Sequence, residues 1–579
     1  MDLAANLEAA RTSVQHALAV YGVLAGAEAR PGLDDYLSDP QKAEILGDCS
    51  QLLLILAETE AQSASDRKPP EKEQYLRKAL SFLEQALRLG APSRAIHLRR
   101  ARYLNMLGDR AEATQAEQAA QGAALDQVLD HFLMADELYR REKFGEAIKE
   151  FDQVLERKPG HFWAQYLNAI CLLRQGRPAE ARTLLSACLA QRSDFVWLYL
   201  LRGFAQEELQ AWGAADSDFQ KASQMPLDDN ARYVLSVNRG VLRIRQERFE
   251  DAIVDLKAAI VQKPNAYQAY VNLAQAYRRL DKLDLALEQL HRAVQLEPGL
   301  AHLYRLRARL YLERKEPALA LGDFDRAIER ENTNSPYQVD DQVERGRLLL
   351  SGGKHSEALG SFDAALALQK DHSLAQRLRA ETLFRLGRFV EVIKAFDRYL
   401  ETGKPLESVY RGRGLARAEL GQYPGAIEDF TKALELHPTS AVQAYRGWTH
   451  LVVDAPKLAL RDFELAIELD PKNGDAYSGR GFVRARLGRH REAVQDAAEA
   501  LRHGPASPRL LYNTARIYAQ CPGPYRPRAV ELIEQALSLL PAEERRAFWS
   551  THIRADVALA GLRRHPSFVR LDVELAHGK

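Results

Sequence analysis

The sequence predicts an all-α array of stacked helix pairs, and three observations carry that reading. Alanine recurs at Ala79, Ala113, Ala147, Ala181 and Ala215, 34 residues apart each time. It continues at Ala252, Ala286, Ala320, Ala358, Ala426, Ala459, Ala493 and Ala529 with small slips in phase, and Val392 takes the slot between Ala358 and Ala426. Large and small apolar residues follow each of these at helical offsets, and glycine or proline interrupts the pattern at fixed points. A constant period of this size marks a repeat architecture, in which each unit buries its apolar face against its neighbours.

Let the recurrent alanine be position 20 of a unit. Position 24 is then large and apolar in most units: Leu83, Phe151, Leu185, Phe219, Leu256, Leu290, Phe324, Phe362, Phe396, Phe430 and Phe463. Position 27 is small, as at Ala86, Ala222, Ala259, Ala327, Ala433 and Ala500, with Cys188 in the same slot. Offsets of four and three place all of these on one face of a second helix, B. Position 8 on the first helix, A, is also small: Gly203, Gly240, Gly346, Gly414, Gly447 and Gly481. Glycine costs about 1 kcal/mol against alanine inside a helix, so its recurrence predicts that A presses closely on B. Gly108-Asp109, Gly176-Arg177, Gly387-Arg388, Gly421-Gln422 and Gly488-Arg489 fall between A and B. Pro159, Pro264, Pro298, Pro438, Pro471, Pro505 and Pro541 follow B, where proline fits the exit turn but cannot extend the helix. Three units depart from the pattern. Glu117 and Ala497 replace the large apolar residue in two of them, and the first unit loses its short turn to an insert around Asp66–Pro70.

This pattern resembles the tetratricopeptide repeat, most closely in AYVNLAQAYRRLDKLDLALEQLHRAVQLEP (269–298) and YRGRGLARAELGQYPGAIEDFTKALELHP (410–438). The resemblance covers 14 units over about residues 41–541. It implies a right-handed superhelical α-solenoid whose A helices line a concave groove that binds protein segments. Segments such as DHFLMADELYRREKFGEAIKEFDQVL (130–155), HFWAQYLNAICLL (161–173) and DFVWLYLLRGFA (194–205) resemble the repeat arrays attached to bacterial serine/threonine kinases. That second resemblance implies a bacterial origin and a signalling context, but no kinase activity in this chain.

Residues 1–40 are expected to form an N-terminal extension, an amphipathic helix with Leu3, Leu7, Val14, Leu18, Val20 and Tyr21 that ends before Pro31. Residues 41–541 are the array, and 542–579 a terminal segment in which one helix, about 542–564 with Phe548 and Trp549, caps the last apolar face. Longer connections occur at Met225–Asn230, Glu331–Pro336 and Cys521–Pro527. They read either as binding loops or as plain surface lengthening.

Composition narrows the function. The 579 residues carry 80 basic and 79 acidic side chains, a net charge of +1, which argues against nucleic acid or an anionic membrane as the general partner. Cys49, Cys171, Cys188 and Cys521 match neither a metal motif nor a disulfide framework; free thiols and a reducing, cytoplasmic location are expected. MDLAANLEAARTS lacks the character of a signal peptide, and LLLILA (52–57) is too short to span a bilayer.

Position 7 is arginine in nine units, and in six of them position 23 is aspartate. The pairs are Arg202/Asp218, Arg239/Asp255, Arg307/Asp323, Arg413/Asp429, Arg446/Asp462 and Arg480/Asp496. Where position 7 is Met134, Asn168 or Leu273, position 23 is Glu150, Leu184 or Gln289. The covariation predicts a salt bridge inside each unit that fixes A against B.

The tetratricopeptide resemblance implies that positions 2, 5, 9, 12 and 13 face the groove. They define an aromatic and apolar zone of Phe132, Tyr139, Trp163, Tyr166, Ile170, Leu173, Trp197, Leu200, Phe204, Val237 and Val241. They also define a basic zone of Arg278, Arg279, Arg305, Arg309, Arg347, Arg377, Arg385 and Arg411, interrupted by Glu313, Asp340, Glu381 and Glu419. Aromatics and arginine anchor protein contacts, so the expected partner is a protein or peptide segment, part apolar and part acidic. The aromatic zone has two open readings, partner binding or burial against the array or the N-terminal helix. Asn238 and Asn272 stand at position 6 without the lysines of the family's carboxylate clamp, which disfavours a chaperone-tail adaptor.

No enzyme is expected. Arg411-Gly412-Arg413-Gly414 and Gly479-Arg480-Gly481 lie inside A helices, without the preceding strand that a phosphate loop needs. There is no His-Glu-x-x-His and no kinase signature, and His161, His437 and His503 fall at unit junctions, where turn or capping roles are expected. No cofactor or metal is implied. The sequence reads as a non-enzymatic interaction scaffold. The alternatives are the regulatory arm of a kinase whose catalytic domain lies elsewhere, and an RNA-binding array of 35-residue repeats, which the 34-residue spacing and the charge balance oppose.

Overall fold

The computed structural model describes residues 3–23, 33, 36–64, 67–89, 94–123, 128–331 and 335–577; Pro31 and Asp66 lie outside them. The chain divides into two compact bodies, residues 1–298 and 299–579. Both are helical, with no strand among the described residues, and fourteen successive A–B pairs run from Asp39–Ser63 with Pro69–Leu89 to Pro508–Gln520 with Arg526–Ser538. Among the described residues no helix is long and apolar enough to cross a membrane.

The core lies between A and B of each pair. The recurrent alanines are buried in every unit, and Phe151, Phe219, Phe324, Phe362, Phe430 and Phe463 at position 24 are at most 1% exposed. Glycine at position 8 is a steric requirement. A Cβ on Gly240 would meet Leu256 Cγ at 2.7 Å, on Gly346 Phe362 Cε1 at 2.5 Å, and on Gly414 Phe430 Cε1 at 2.8 Å. The Arg-Gly-Arg-Gly run is explained the same way: Gly414 receives Phe430 of its own unit, while Gly412 receives Phe396 of the preceding unit, 2.7 Å from a built Cβ. The two irregular units differ in outcome. Glu117 turns to solvent and Ala116 is buried nearby, leaving a thin core of Ala101, Leu104, Ala113 and Ala116. Ala497 is compensated by Ile517 of the next A helix, which comes within 2.8 Å of a Cβ built on Gly481.

A left-handed residue at position 15 makes the A–B turn. Glycine supplies it at Gly108, Gly176, Gly353, Gly387, Gly421 and Gly488, while Glu142, Gln210, Glu247, Asp281, Lys315 and Asp454 adopt φ of 56–62°. In all twelve units the position 16 N–H donates to the position 11 carbonyl at 2.8–3.0 Å, for example Arg177 to Leu172 and Glu316 to Tyr311. This is the Schellman closure of helix A. Helix A starts are capped from the junctions: His161 and His372 Nδ1 accept from Ala164 and Ala375 N–H at 3.2 Å, as do Asp228, Thr439, Asn473 and Ser507 for their helices.

All six predicted salt bridges form, each with two prongs. Arg202 Nε and Nη2 donate to Asp218 at 2.8 and 2.7 Å, Arg307 to Asp323 at 2.7 and 2.7 Å, and Arg413 to Asp429 at 3.0 and 2.6 Å. Arg446 reaches Asp462 at 3.1 and 2.7 Å, Arg480 reaches Asp496 at 3.2 and 2.8 Å, and Arg239 grips Asp255. The six aspartates are 0–4% exposed. Position 11 often adds a second donor: Arg243 to Asp255 at 2.5 Å, Arg417 to Asp429 at 2.8 Å, Arg484 to Asp496 at 2.7 Å, and His450 Nδ1 beside Asp462 at 2.9 Å.

Position 7 also ties neighbouring units, which the sequence reading did not anticipate. Its side chain donates to position 25 of the preceding B helix: Asn168 to Asp152 at 2.9 Å, Arg202 to Ser186 at 3.3 Å, and Arg345 to Asp325 at 2.6 Å. Arg379 reaches Asp363 at 2.5 Å, Arg413 reaches Asp397 at 2.5 Å, and Arg446 reaches Thr431 at 3.0 Å. The signal was available as a run of Asp, Ser and Thr at position 25.

The ends differ in part from expectation. The N-terminal helix Leu3–Val20 packs on Asp39–Ser63 through Val14 and Leu18, and Arg11 Nε donates to buried Glu60 at 3.1 Å. Val20, expected on the apolar face, is 78% exposed, and the side chains of Leu3 and Leu7 lie outside the described residues. The C-terminal segment is not one helix over 542–564. Helix Ala542–Phe548 runs into a π turn Trp549–Ile553, a 3-10 turn Val557–Leu562 and helix Pro566–His577. The break falls at Asp556, which accepts from Ala558 N–H at 2.9 Å to start the next turn. Trp549, Ile553, Leu559 and Leu562 are buried against the last helix pair.

Two paired substitutions check this account by urea unfolding. Gly346→Ala should destabilise by about 1–3 kcal/mol through collision with Phe362, whereas Gly360→Ala, with nothing within 4 Å of its Cβ, should stabilise by up to about 1 kcal/mol. Lys315→Gly, at φ 62°, should stabilise by about 0.5–1 kcal/mol, and Gly387→Ala, at φ 70°, should destabilise by about 1 kcal/mol.

Candidate functional site

The aromatic zone lies in the first body and packs largely on itself. Trp163 meets Phe162 edge-on at 5.1 Å and Tyr166 at 5.9 Å; Phe195 stands 5.4 Å from Tyr166. The Arg192 guanidinium covers Phe162 and Phe195 at 5.4 and 5.7 Å. Phe132 sits 6.1 Å from Phe151 and 4.9 Å from His161, and Tyr139 is 6.1 Å from Phe144. Only Trp163, at 47%, and Phe204, at 36%, are exposed among the zone's aromatics; Phe132, Tyr139, Tyr166 and Trp197 are half-buried. Leu200 is fully buried and faces no open surface. Phe162 and Phe195 complete the cluster but stand outside the positions read as groove-facing.

A cleft of about 340 Å³ in the same body runs from Ile55 and Glu58 past Arg99 to Phe132, Asp136 and Arg140. Its charges are matched internally. Glu58 accepts from Arg102 at 2.6 Å, Tyr103 Oη at 2.8 Å and Arg140 at 3.0 Å. Burial works to raise the Glu58 carboxyl, but Arg140, Arg102 and Arg99 overcome it and hold it at about 2.

The basic zone draws on both bodies. Arg278 and Arg279 belong to the first body, where Arg279 pairs with Glu247 at 3.2 Å and lies over the Phe249 ring at 4.9 Å. The others belong to the second body. Arg305 is the main correction: it is 6% exposed, donates to Asp341 at 2.7 and 2.9 Å, pairs with Glu331, and stacks on Tyr337 at 4.9 Å. Its carboxylate partners are Asp341 of the next A helix, Tyr337–Ser351, and Glu331 just past the intervening B helix, so position alone could not show that it was occupied. Arg309 and Arg347 are exposed, and Arg347 pairs with Glu344 at 2.9 Å.

Arg377, Arg385 and Arg411 converge on one cleft of about 410 Å³ between helices Ser373–Arg385 and Glu407–Glu419. Phe384, Phe396 and Leu415 form its apolar lining. Phe396 is buried and touches Gly412, so the missing Cβ of that glycine lets the ring sit at the base of the cleft. Arg411 is held by Glu407 at 2.8 Å and Arg385 lies 4.0 Å from Glu381. Half-buried Arg377 makes no ion pair among the described residues. A more open cleft of about 840 Å³ adjoins it, sharing Glu381 and Arg385 and reaching Arg347 and His355.

Cys171 and Cys188 are buried free thiols, both pushed up to about 12 by desolvation, and Cys49 and Cys521 are buried as well. Among the described residues no group of three His, Cys, Asp or Glu side chains is placed to hold a metal ion.

Comparison with known proteins agrees with the helix-pair geometry. Tetratricopeptide repeat models match residues 138–201, 237–301, 273–337, 343–406, 408–440 and 446–508, together more than half of the chain. The DnaJ homolog subfamily C member 3 of Gallus gallus is 26% identical over 51% of this chain and 63% of its own length. The Hsp70-Hsp90 organizing protein 3 of Arabidopsis thaliana is 25% identical over 42% of this chain and 44% of its own. The chain thus spans about half the length of the curated relatives it matches. Among solved structures, the P58(IPK) TPR domain aligns at 17% identity and a TM-score of 0.27, over 71% of this chain and 99% of that one. The Cut9 and Hcn1 assembly of the APC/C aligns at 14% and 0.34, over 78% and 93%. On the repeat matches and the fourteen helix pairs, the chain belongs to the tetratricopeptide repeat family.

Proposed function

We propose that the chain is a non-enzymatic interaction scaffold that holds a protein segment, part apolar and part acidic, on the A-helix face of its second body. The observation that carries this is the 410 Å³ cleft, where an apolar lining of Phe384, Phe396 and Leu415 is rimmed by Arg377, Arg385 and Arg411. That volume lies within the range of specific binding clefts, and buried aromatics beside arginine are the residues that concentrate binding energy. Relatives named as organizing and DnaJ-type proteins support a scaffold role. The absence of lysines around Asn238 and Asn272 speaks against a chaperone tail as the bound segment. Trp163 and Phe204 offer a smaller second contact surface on the first body.

The test is selection of peptides from a random library on the full chain, followed by Ser408→Trp, which fills the cleft without changing its charge. Selected peptides should lose about tenfold or more in affinity, about 1.4 kcal/mol, while helicity and thermal midpoint stay unchanged. Peptides that bind both proteins equally would contradict the assignment of the cleft.

A further inference from the structure

At two places in this chain an A-helix arginine already holds a carboxylate from another element beside an aromatic ring. At the C-terminus, the turn after Ile553 lays Asp556 against the last A helix. Its carboxylate accepts from Tyr512 Oη at 2.7 Å and pairs with Arg516 at 2.8 Å, while Arg516 stacks on Phe482 at 4.0 Å. Phe548 of the same segment packs edge-on against Tyr512 at 5.8 Å. In the second body, Arg305 pairs with Glu331 and with Asp341 of the next A helix, Tyr337–Ser351, and Tyr337 of that helix covers the same guanidinium at 4.9 Å. In each case the arginine meets a carboxylate from outside its own helix and an aromatic ring together.

Arg305, Arg377 and Arg411 all stand at position 5 of their units. Arg305 is satisfied by another segment and Arg411 by Glu407 on its own helix, whereas Arg377 is matched by no carboxylate among the described residues. Resting on the scaffold reading above, we infer that the cleft takes a partner peptide carrying a carboxylate next to a bulky aromatic side chain. Arg377 reads the carboxylate, and the aromatic enters between Phe384, Phe396 and Leu415. Glu381 faces Arg385 and Glu407 holds Arg411, so among the described residues the cleft presents one unmatched cation, which suits a single carboxylate rather than a continuous run of phosphates. A guanidinium at the rim of an apolar cleft gains from such a partner because the carboxylate pairs in a partly dehydrated site. Gly412 sets the depth: a side chain there would displace Phe396 and shorten the space for the anchor.

The probe is a short synthetic peptide of alternating Glu and Ser around one Trp, titrated against the full chain by fluorescence anisotropy. Two companions replace Glu by Lys, or Trp by Ser. The first peptide should bind about tenfold or more tightly than either companion. Arg377→Glu should cost about tenfold or more, and Arg377→Gln less than that, with unchanged thermal midpoints. Arg461→Glu, exposed on the B helix Pro456–Leu469 and absent from the cleft lining, should change affinity less than about twofold. Equal binding of the lysine peptide, or indifference to Arg377→Glu, would overturn the inference. Self-association of the chain abolished by Arg377→Glu would also overturn it, because the occupant would then be a second copy. These failures stand apart from failure of the scaffold reading, which would appear as selected peptides that ignore Ser408→Trp.

Discussion

The guanidinium at position 7 fixes the register of the helix pair in six of the fourteen units. Apolar packing of small A-helix residues on large B-helix side chains drives the helices together, but it is non-directional and tolerates sliding. A two-pronged bond from Arg413 to Asp429 does not, because both prongs are met in one register only. The same side chain then reaches Asp397 of the preceding unit, so one group fixes A against B and one pair against the next. Desolvation offsets much of the Coulomb gain at such sites. The clasp is therefore a device for register first and for net stability second.

This use of arginine shapes the functional surface. Charge across the chain is nearly balanced, and the balance is met locally, pair by pair. The position 7 arginines that face an aspartate at position 23 are consumed inside the array. Position 5 arginines differ in exposure and availability according to which carboxylate lies nearby. Arg305 is taken by Asp341 and Glu331, Arg411 by Glu407, and Arg377 is left at an apolar cleft. The binding chemistry is thus a local exception to charge matching.

The period, the positions of the A–B turns, the close A–B approach at glycine and the six intra-unit salt bridges are legible in the sequence. Each is set by spacing inside one unit. What escaped depends on contacts that spacing does not encode. The position 25 partners belong to the neighbouring unit, although their Asp, Ser and Thr pattern was visible. Arg305 was read as open because its partners come from the next A helix and from Glu331 just past the intervening B helix. The aromatic zone was read as one face, yet Phe162 and Phe195 draw Trp163 and Tyr166 into a cluster. The C-terminal segment was read as one helix because nothing in its composition announces that Asp556 turns back to Tyr512 and Arg516.

The most direct test of the clasp is a double-mutant cycle between Arg413 and Asp429, with the exposed pair Arg388 and Glu391 as reference. Both pairs are two-pronged, the reference at 2.6 and 2.8 Å, so they differ chiefly in burial and in the helices they join. The account predicts a coupling of about 2 kcal/mol or more for Arg413 and Asp429, against about 0–0.5 kcal/mol for the reference. Equal, near-zero couplings for both pairs would contradict it.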